Sequence, residues 1–199
     1  LALTSLIGLS VHPLVTFFLG QSRFALESLA VMSVIHSLVF IFRSIGLSYM
    51  EVAITFLGDR FERYKQIRKF AVILGTGVLA GMGLIAFTPL TDLWFKVVSG
   101  LNNELAAFSI LPTRILVIMP ALTLVLATQR AILVNGKYTR PITLATIIEI
   151  VGIIIILIIS IHFMDAIGAI AAAYALVLGR LLSNGFLITR VRKVLNQYQ

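Results

Sequence analysis

Five charged side chains and one histidine lie deep inside long apolar runs of this 199-residue chain: Arg43, Glu51, Arg114, Glu149, Arg180 and His36. If those runs cross a bilayer, each charge costs at least about 2.5–3.5 kcal/mol at the centre, so each asks for a role. At 1.5 Å rise per residue, Arg43 and Arg114 fall roughly 20 Å from the basic end of their segments, near the midplane. Glu51, Glu149 and Arg180 fall roughly 10–14 Å in. A planar guanidinium matches phosphate and carboxylate with two parallel hydrogen bonds, so Arg43 and Arg114 point to an anionic ligand in a cavity or to carboxylates elsewhere. Glu51, Glu149 and Arg180 have opposite signs at matching depth, which suits structural ion pairs or a gating or coupling element. His36 reads as an interhelical hydrogen-bonding residue, with a proton relay as the other reading. His12, beside Pro13, and His162 carry little functional weight.

The segment holding Arg43 has a second polar feature. Ser33, Ser37, Ser44, Ser48, Glu51 and Thr55 fall within about 60° of one another at 100° per residue, with His36 and Arg43 flanking them. Val34, Leu38, Phe42, Ile45 and Val52 form the opposite face. Such a stripe is expected to face protein or a water-filled cavity rather than lipid, with Ser37, Ser44, His36, Arg43 and Arg114 as the cavity residues.

Composition explains why a membrane enters the argument. The chain is 59% hydrophobic and 12% charged, with a mean hydropathy of +1.05. A soluble domain carries about 25% charged residues, too many for this chain to match. Six apolar segments are expected, over about residues 1–19, 28–57, 70–88, 105–127, 142–163 and 166–189. The fold class is therefore all-α, a polytopic bundle of six transmembrane helices forming one domain over residues 1–199. The connectors have turn chemistry: Gly20-Gln21-Ser22-Arg23, Gly58-Asp59-Arg60, Asn135-Gly136-Lys137 and Arg140-Pro141. Leu90, Leu93, Trp94, Val97 and Val98 form one face of a short helix suited to the membrane interface. The chain opens on Leu1, already inside an apolar run, and reads as part of a longer chain.

Charge orders the connectors. Arg60, Arg63, Lys65, Arg68 and Lys69, then Arg130, Lys137 and Arg140, then Arg190, Arg192 and Lys193 put eleven basic residues on one side, against Arg23 and Lys96 on the other. By the positive-inside rule the basic side and the C-terminus are cytoplasmic, with the plasma (inner) membrane as the expected location. Topology and anionic headgroups account for the net charge of +8, and nucleic acid is not an expected partner. The chain has no cysteine, which removes thiolate metal sites and cysteine nucleophiles. There is no Gly-rich phosphate loop, H-E-x-x-H or G-x-S-x-G motif, so the chain is not expected to be an enzyme, to carry a catalytic residue or to bind a metal. Gly75, Gly77, Gly81 and Gly83, and Gly168, Ala172, Ala175 and Gly179, are expected to let helices pack closely. Pro112 and Pro120 favour kinks.

Three stretches carry a family resemblance. They are Ile45-Gly46-Leu47-Ser48 through Phe56-Leu57-Gly58-Asp59-Arg60 to Arg68, Thr113-Arg114-Ile115 through Asn135-Gly136-Lys137-Tyr138-Thr139-Arg140-Pro141, and Ile167-Gly168-Ala169-Ile170-Ala171-Ala172-Ala173-Tyr174-Ala175. In order and spacing they resemble the C-terminal six-helix lobe of the MATE/MOP exporter superfamily. The resemblance implies a transporter lobe working by alternating access, paired with an N-terminal six-helix lobe, in contact with membrane lipid and taking a small-molecule or lipid-linked substrate. It implies no cofactor and leaves coupling to H+ or Na+ open. The fourth segment has Arg114 where a carboxylate would suit a cationic drug, which favours an anionic or lipid-linked substrate. A cation-coupled multidrug antiporter is the alternative within the family, and a six-helix scaffold or assembly protein the alternative outside it.

The charge asymmetry yields a direct test. Single cysteines at Asp59, Asn135 and Gln199 are expected to resist an impermeant thiol reagent applied to sealed cells. Labelling of any of them from outside reverses the topology.

Overall fold

The computed structural model describes residues 7–58 and 61–197, so Asp59, Arg60, Gln199 and the first six residues of the first apolar segment lie outside the described part. We number the helices α1 (Val11–Leu19), α2 (Ala25–Phe56), α3 (Tyr64–Phe87), α4 (Leu90–Asp92), α5 (Asn103–Leu116), α6 (Met119–Asn135), α7 (Arg140–Ile158) and α8 (Gly168–Asn196). The fold is all-helical, with no strand among the described residues; an isolated backbone bridge joins Arg23 and Ile167. Five helical stretches are long and apolar enough to cross a membrane: Ala25–Phe56, Tyr64–Phe87, Asn103–Asn135, Arg140–Phe163 and Gly168–Asn196. Ile7–Leu19 is apolar but shorter.

The helices extend beyond their apolar runs. α3 begins at Tyr64 rather than near Phe70, so Lys65, Arg68 and Lys69 sit on its first turns. α8 continues through Arg190, Arg192 and Lys193 to Asn196. The fourth segment does not end at Ala127: α6 runs to Asn135 and is capped at Gly136. Arg130, counted above as a loop charge, is therefore inside a helix. Polar residues continue a helix because its backbone hydrogen bonds do not depend on hydropathy.

Pro112 lies within α5 without interrupting it. The break comes at Val117–Ile118, just before Pro120 in the first turn of α6, where the missing N–H is tolerated. Beyond α3, α4 leads into one π-helical stretch, Leu93–Val98. Phe95 is its fully buried anchor, and Asp92 pairs with Lys96 at 3.0 Å. Leu93, Val97 and Val98 point outward.

α2 packs mainly on α6, α7 on α8, and α8 also on α6. One apolar cluster joins Val31, Ile35, Met82, Leu116, Leu157 and Ala172. A second joins Tyr49, Leu57, Leu124, Ile132, Ala145 and Leu187. Along α2, α7 and α8 the charged residues Arg43, Glu149 and Arg180 fall in sequence between the two. Polar clasps tie the helices together. Gln129 Nε2 donates to Asn184 O at 3.1 Å, Asn184 Nδ2 to Leu122 O at 3.0 Å, and Asn135 Nδ2 to Ile54 O at 3.1 Å. The Ala169 N–H donates to buried Ser28 Oγ at 3.1 Å, fixing the start of α8 on α2.

The two glycine sets behave differently. At Gly179 an added Cβ would lie 2.6 Å from Ile153 Cγ1 and 3.0 Å from Glu149 O, so α7 and α8 meet there backbone to side chain. On α3, Gly75 and Gly81 touch the side chains of Leu124 and Phe42, but nothing lies within 4 Å of a Cβ on Gly77. The close packing expected of all four α3 glycines is thus confined to two, because much of α3 is exposed: Phe70, Val72, Ile73 and Leu84 all face outward.

This contrast is measurable. Gly179→Ala overpacks the α7–α8 seam and is expected to destabilise by about 1–3 kcal/mol. Gly77→Ala has room and gains helix propensity, so it is expected to be neutral or stabilising by up to about 1 kcal/mol. Thermal unfolding of the two purified variants in detergent distinguishes them, and equal midpoints would contradict the seam geometry.

Candidate functional site

A cavity of about 190 Å³ opens where α1, α2, α6, α7 and α8 converge. Its lining includes Arg43, Arg130 and Arg180, one carboxylate, Glu149, and the histidines His12 and His36. Leu116, Met119 and Leu126 supply part of its apolar wall. The break between α5 and α6 borders it through Leu116 and Met119, so the interrupted helix shapes one side.

Each charged residue has a distinct arrangement. Arg180 Nη2 lies 2.9 Å from Glu149 Oε1, with both side chains nearly fully buried. The neighbouring seam makes this possible: Gly179 lets α8 approach the Glu149 backbone closely. Arg130 Nη2 donates to Thr146 Oγ1 at 3.1 Å, and Thr146 donates to Ile142 O at 3.0 Å. Arg43 makes no hydrogen bond or ion pair among the described residues, and its Nε is buried without a partner. The Nε atoms of Arg130 and Arg180 and the Nε2 atom of His36 are likewise buried and unpaired. The His12 and His36 rings meet edge to face at 4.8 Å between centroids. Three guanidinium groups therefore share a cavity with one carboxylate. Leaving buried donors unpaired is costly, and a ligand rich in acceptor oxygens would satisfy them. Among the described residues no three His, Cys, Asp or Glu side chains group closely enough to hold a metal ion. No protein-family model, curated protein or solved structure matches this chain.

The residues singled out from sequence are only partly brought together. Arg43, His36, Glu149 and Arg180 line the cavity. Arg114 does not: it is exposed on α5, its Nε 3.4 Å from Ala86 O and its guanidinium 5.5 Å over the Phe87 ring. The expectation that Arg43 and Arg114 approach one cavity is therefore corrected, because Arg114 turns toward the C-terminal end of α3. Glu51 is exposed on α2 and makes no ion pair among the described residues, so it does not join Glu149 and Arg180. The serine stripe also lies away from the cavity. Ser33 and Ser37 are exposed and Ser44 half-buried, on the side of α2 opposite Val31, Ile35 and Leu38. Their hydroxyls donate to carbonyls of their own helix: Ser33 to Ala30 at 2.8 Å, Ser37 to Ser33 at 3.0 Å and Ser44 to Ile41 at 2.7 Å. The stripe is thus uncovered by the other described helices, as its polar character does not require a partner within this chain.

Arg130 is the cavity residue that sequence reasoning missed. A usable signal was present: Ala131-Ile132-Leu133-Val134 continues the apolar run past it to Asn135-Gly136, an ordinary helix stop. His12 was also undervalued, since its ring contact with His36 depends on how α1 meets α2.

The buried pair has an asymmetric energetic signature. Arg180→Ala removes the ion-pair partner of Glu149, leaving it only the charges of Arg43 and Arg130 across the cavity, and is expected to destabilise by up to about 3–5 kcal/mol, whereas the joint Arg180→Met/Glu149→Met change is expected to cost less. Denaturation midpoints of the purified single and double variants test this; a double variant as unstable as the single one would show that the two residues do not act as a pair.

Proposed function

We propose that this chain is one lobe of an alternating-access membrane transporter whose substrate is an anion, either a small organic anion or the phosphate end of a lipid-linked molecule. The observation that carries the reading is Arg43, half-buried, facing the cavity and making no hydrogen bond or ion pair among the described residues. Support comes from the charge count, three guanidinium groups to one carboxylate. That excess is large inside helices of membrane-spanning length, and a dianion such as phosphate would offset it.

The roles follow from the hydrogen bonds each residue has left to give. Arg43 is uncommitted and is the first contact for the oxyanion. Arg130 keeps Thr146 through one Nη and offers its remaining donors. Arg180 is held by Glu149, the resident counter-charge, which weakens the site enough for the ligand to leave again. Apolar walls and a helix broken at Val117–Ile118 set the site in a region able to rearrange between two packings. In this reading Ile7–Leu19 belongs to the first of six spans and the basic ends of α3 and α8 face the cytoplasm across the plasma membrane. The exposed Ser33, Ser37 and Glu51 face of α2 then meets a second six-helix lobe or the water-filled path between lobes, where the Glu51 carboxylate avoids the cost of facing lipid. The sequence resemblance to MATE/MOP lobes agrees with this arrangement but does not carry it.

Uptake or flipping assays on the full-length protein, with panels of organic anions, lipid-linked phosphates and organic cations, provide the test. Arg43→Ala and Arg130→Ala are each expected to lower anion transport about tenfold or more, the worth of a charge-assisted hydrogen bond, at unchanged abundance. Lysine at either position rescues only in part, because it lacks the two-pronged geometry. Arg114→Ala is expected to transport normally. Wild-type activity in both cavity variants, or a preference for cations, would overturn the proposal.

A further inference from the structure

A second, larger hollow lies on the other side of α6 from the arginine cavity. It is a groove of about 640 Å³ between α3, α6 and α8. Val72, Leu79, Val125 and Ile188 contribute apolar wall, and Arg68 and Arg192 line the end where α3 begins and α8 finishes. The polar side chains along the wall are largely spent internally. Thr76 Oγ1 donates to Val72 O at 2.9 Å, Thr128 Oγ1 to Leu124 O at 2.9 Å, and Gln129 Nε2 to Asn184 O at 3.1 Å. Both arginines are exposed, and among the described residues neither has a carboxylate partner. From Arg68 to Leu79 the groove runs about 16 Å along α3, close to half of a roughly 30 Å hydrocarbon core.

We propose that this groove is a binding site for one anionic phospholipid, its acyl chain laid between α3 and α6 and its phosphate held by Arg68 and Arg192. A basic end and a hydrocarbon trough one leaflet long match the two halves of such a lipid. A free anion would leave the apolar trough unused, and a zwitterionic lipid would leave the arginines without net compensation. Basic pockets between spanning helices are the setting in which anionic headgroups bind. Binding there would also cover the exposed side of α3, whose packing onto the other helices is slight. The site is separate from the arginine cavity and does not depend on the transport reading.

The full-length protein, purified in a neutral detergent, is titrated with phosphatidylglycerol or phosphatidylcholine, and bound lipid is read by native mass spectrometry. Phosphatidylglycerol is expected to be retained in preference to phosphatidylcholine. Arg68→Gln/Arg192→Gln is expected to weaken retention roughly 25-fold, about fivefold for each arginine. The charge-matched control Lys137→Gln/Lys193→Gln is expected to change it less than about twofold, because screened charges outside the groove contribute little. Val125→Trp fills the trough while keeping both arginines and is expected to reduce retention as well. Inorganic phosphate is expected not to compete. Equal retention of the two lipids, equal loss in the charge-matched control, unaffected binding in Val125→Trp, or displacement by inorganic phosphate would each overturn the site.

Discussion

The close approach of α7 and α8 is the constraint on which the rest of the molecule depends. At Gly179 the α8 backbone comes so near that a single methyl would press on Ile153 and on the Glu149 carbonyl. One residue later, Arg180 reaches the Glu149 carboxylate at 2.9 Å. In a hydrocarbon solvent helices gain little by hiding leucines from lipid, so association rests on dense contact and on polar pairs that have nowhere better to go. The seam supplies both at one level. It also turns two expensive side chains into a buried pair that holds the helices in register.

Around that pair the interior is divided. Apolar clusters lie on either side in sequence, and Arg43, Arg180 and Glu149 occupy the layer between them. A fully apolar core would be tighter. Here close packing is given up for a small cavity whose donors outnumber its acceptors. Arg130 is anchored by Thr146 and Arg180 by Glu149, while Arg43 makes no hydrogen bond or ion pair among the described residues. The packing thus prepares a charge imbalance and keeps it in place. Polar clasps farther along α6 and α8, Gln129 to Asn184 and Asn184 to Leu122, fix the frame without adding charge.

The outer surface is divided as well. α3 shows Phe70, Ile73 and Leu84 outward, a surface suited to lipid. α2 shows Ser33, Ser37, Ser48, Glu51 and Thr55 alongside exposed Leu26, Phe40, Ile41 and Leu47, a mixed surface in which the Glu51 carboxylate is the group that hydrocarbon would penalise.

Much of this was legible from composition and period. Mean hydropathy and the length of the apolar runs determined the all-helical class and the helices of membrane-spanning length, because a backbone in hydrocarbon must satisfy its own hydrogen bonds. Charges inside those runs marked Arg43, Glu149 and Arg180 one by one, since an ionised group there is costly wherever it points. The angular spacing of the serines correctly made a stripe, but a helical wheel has no origin and cannot say which side meets the core. Only the tertiary structure decided that the stripe points away from the other helices, that Arg114 turns to Phe87 instead of the cavity, and that Arg130 replaces it there. Helix ends were misjudged for a related reason: hydropathy tracks the solvent around a helix, whereas the helix itself is continued by hydrogen bonds that Arg130, Lys65 and Arg192 make as readily as leucine. Residue type and spacing told which side chains needed partners and that Gly179 lies on a face open to close packing, but which helix would cross there, and so which partner Arg180 would meet, was decided only by the tertiary structure.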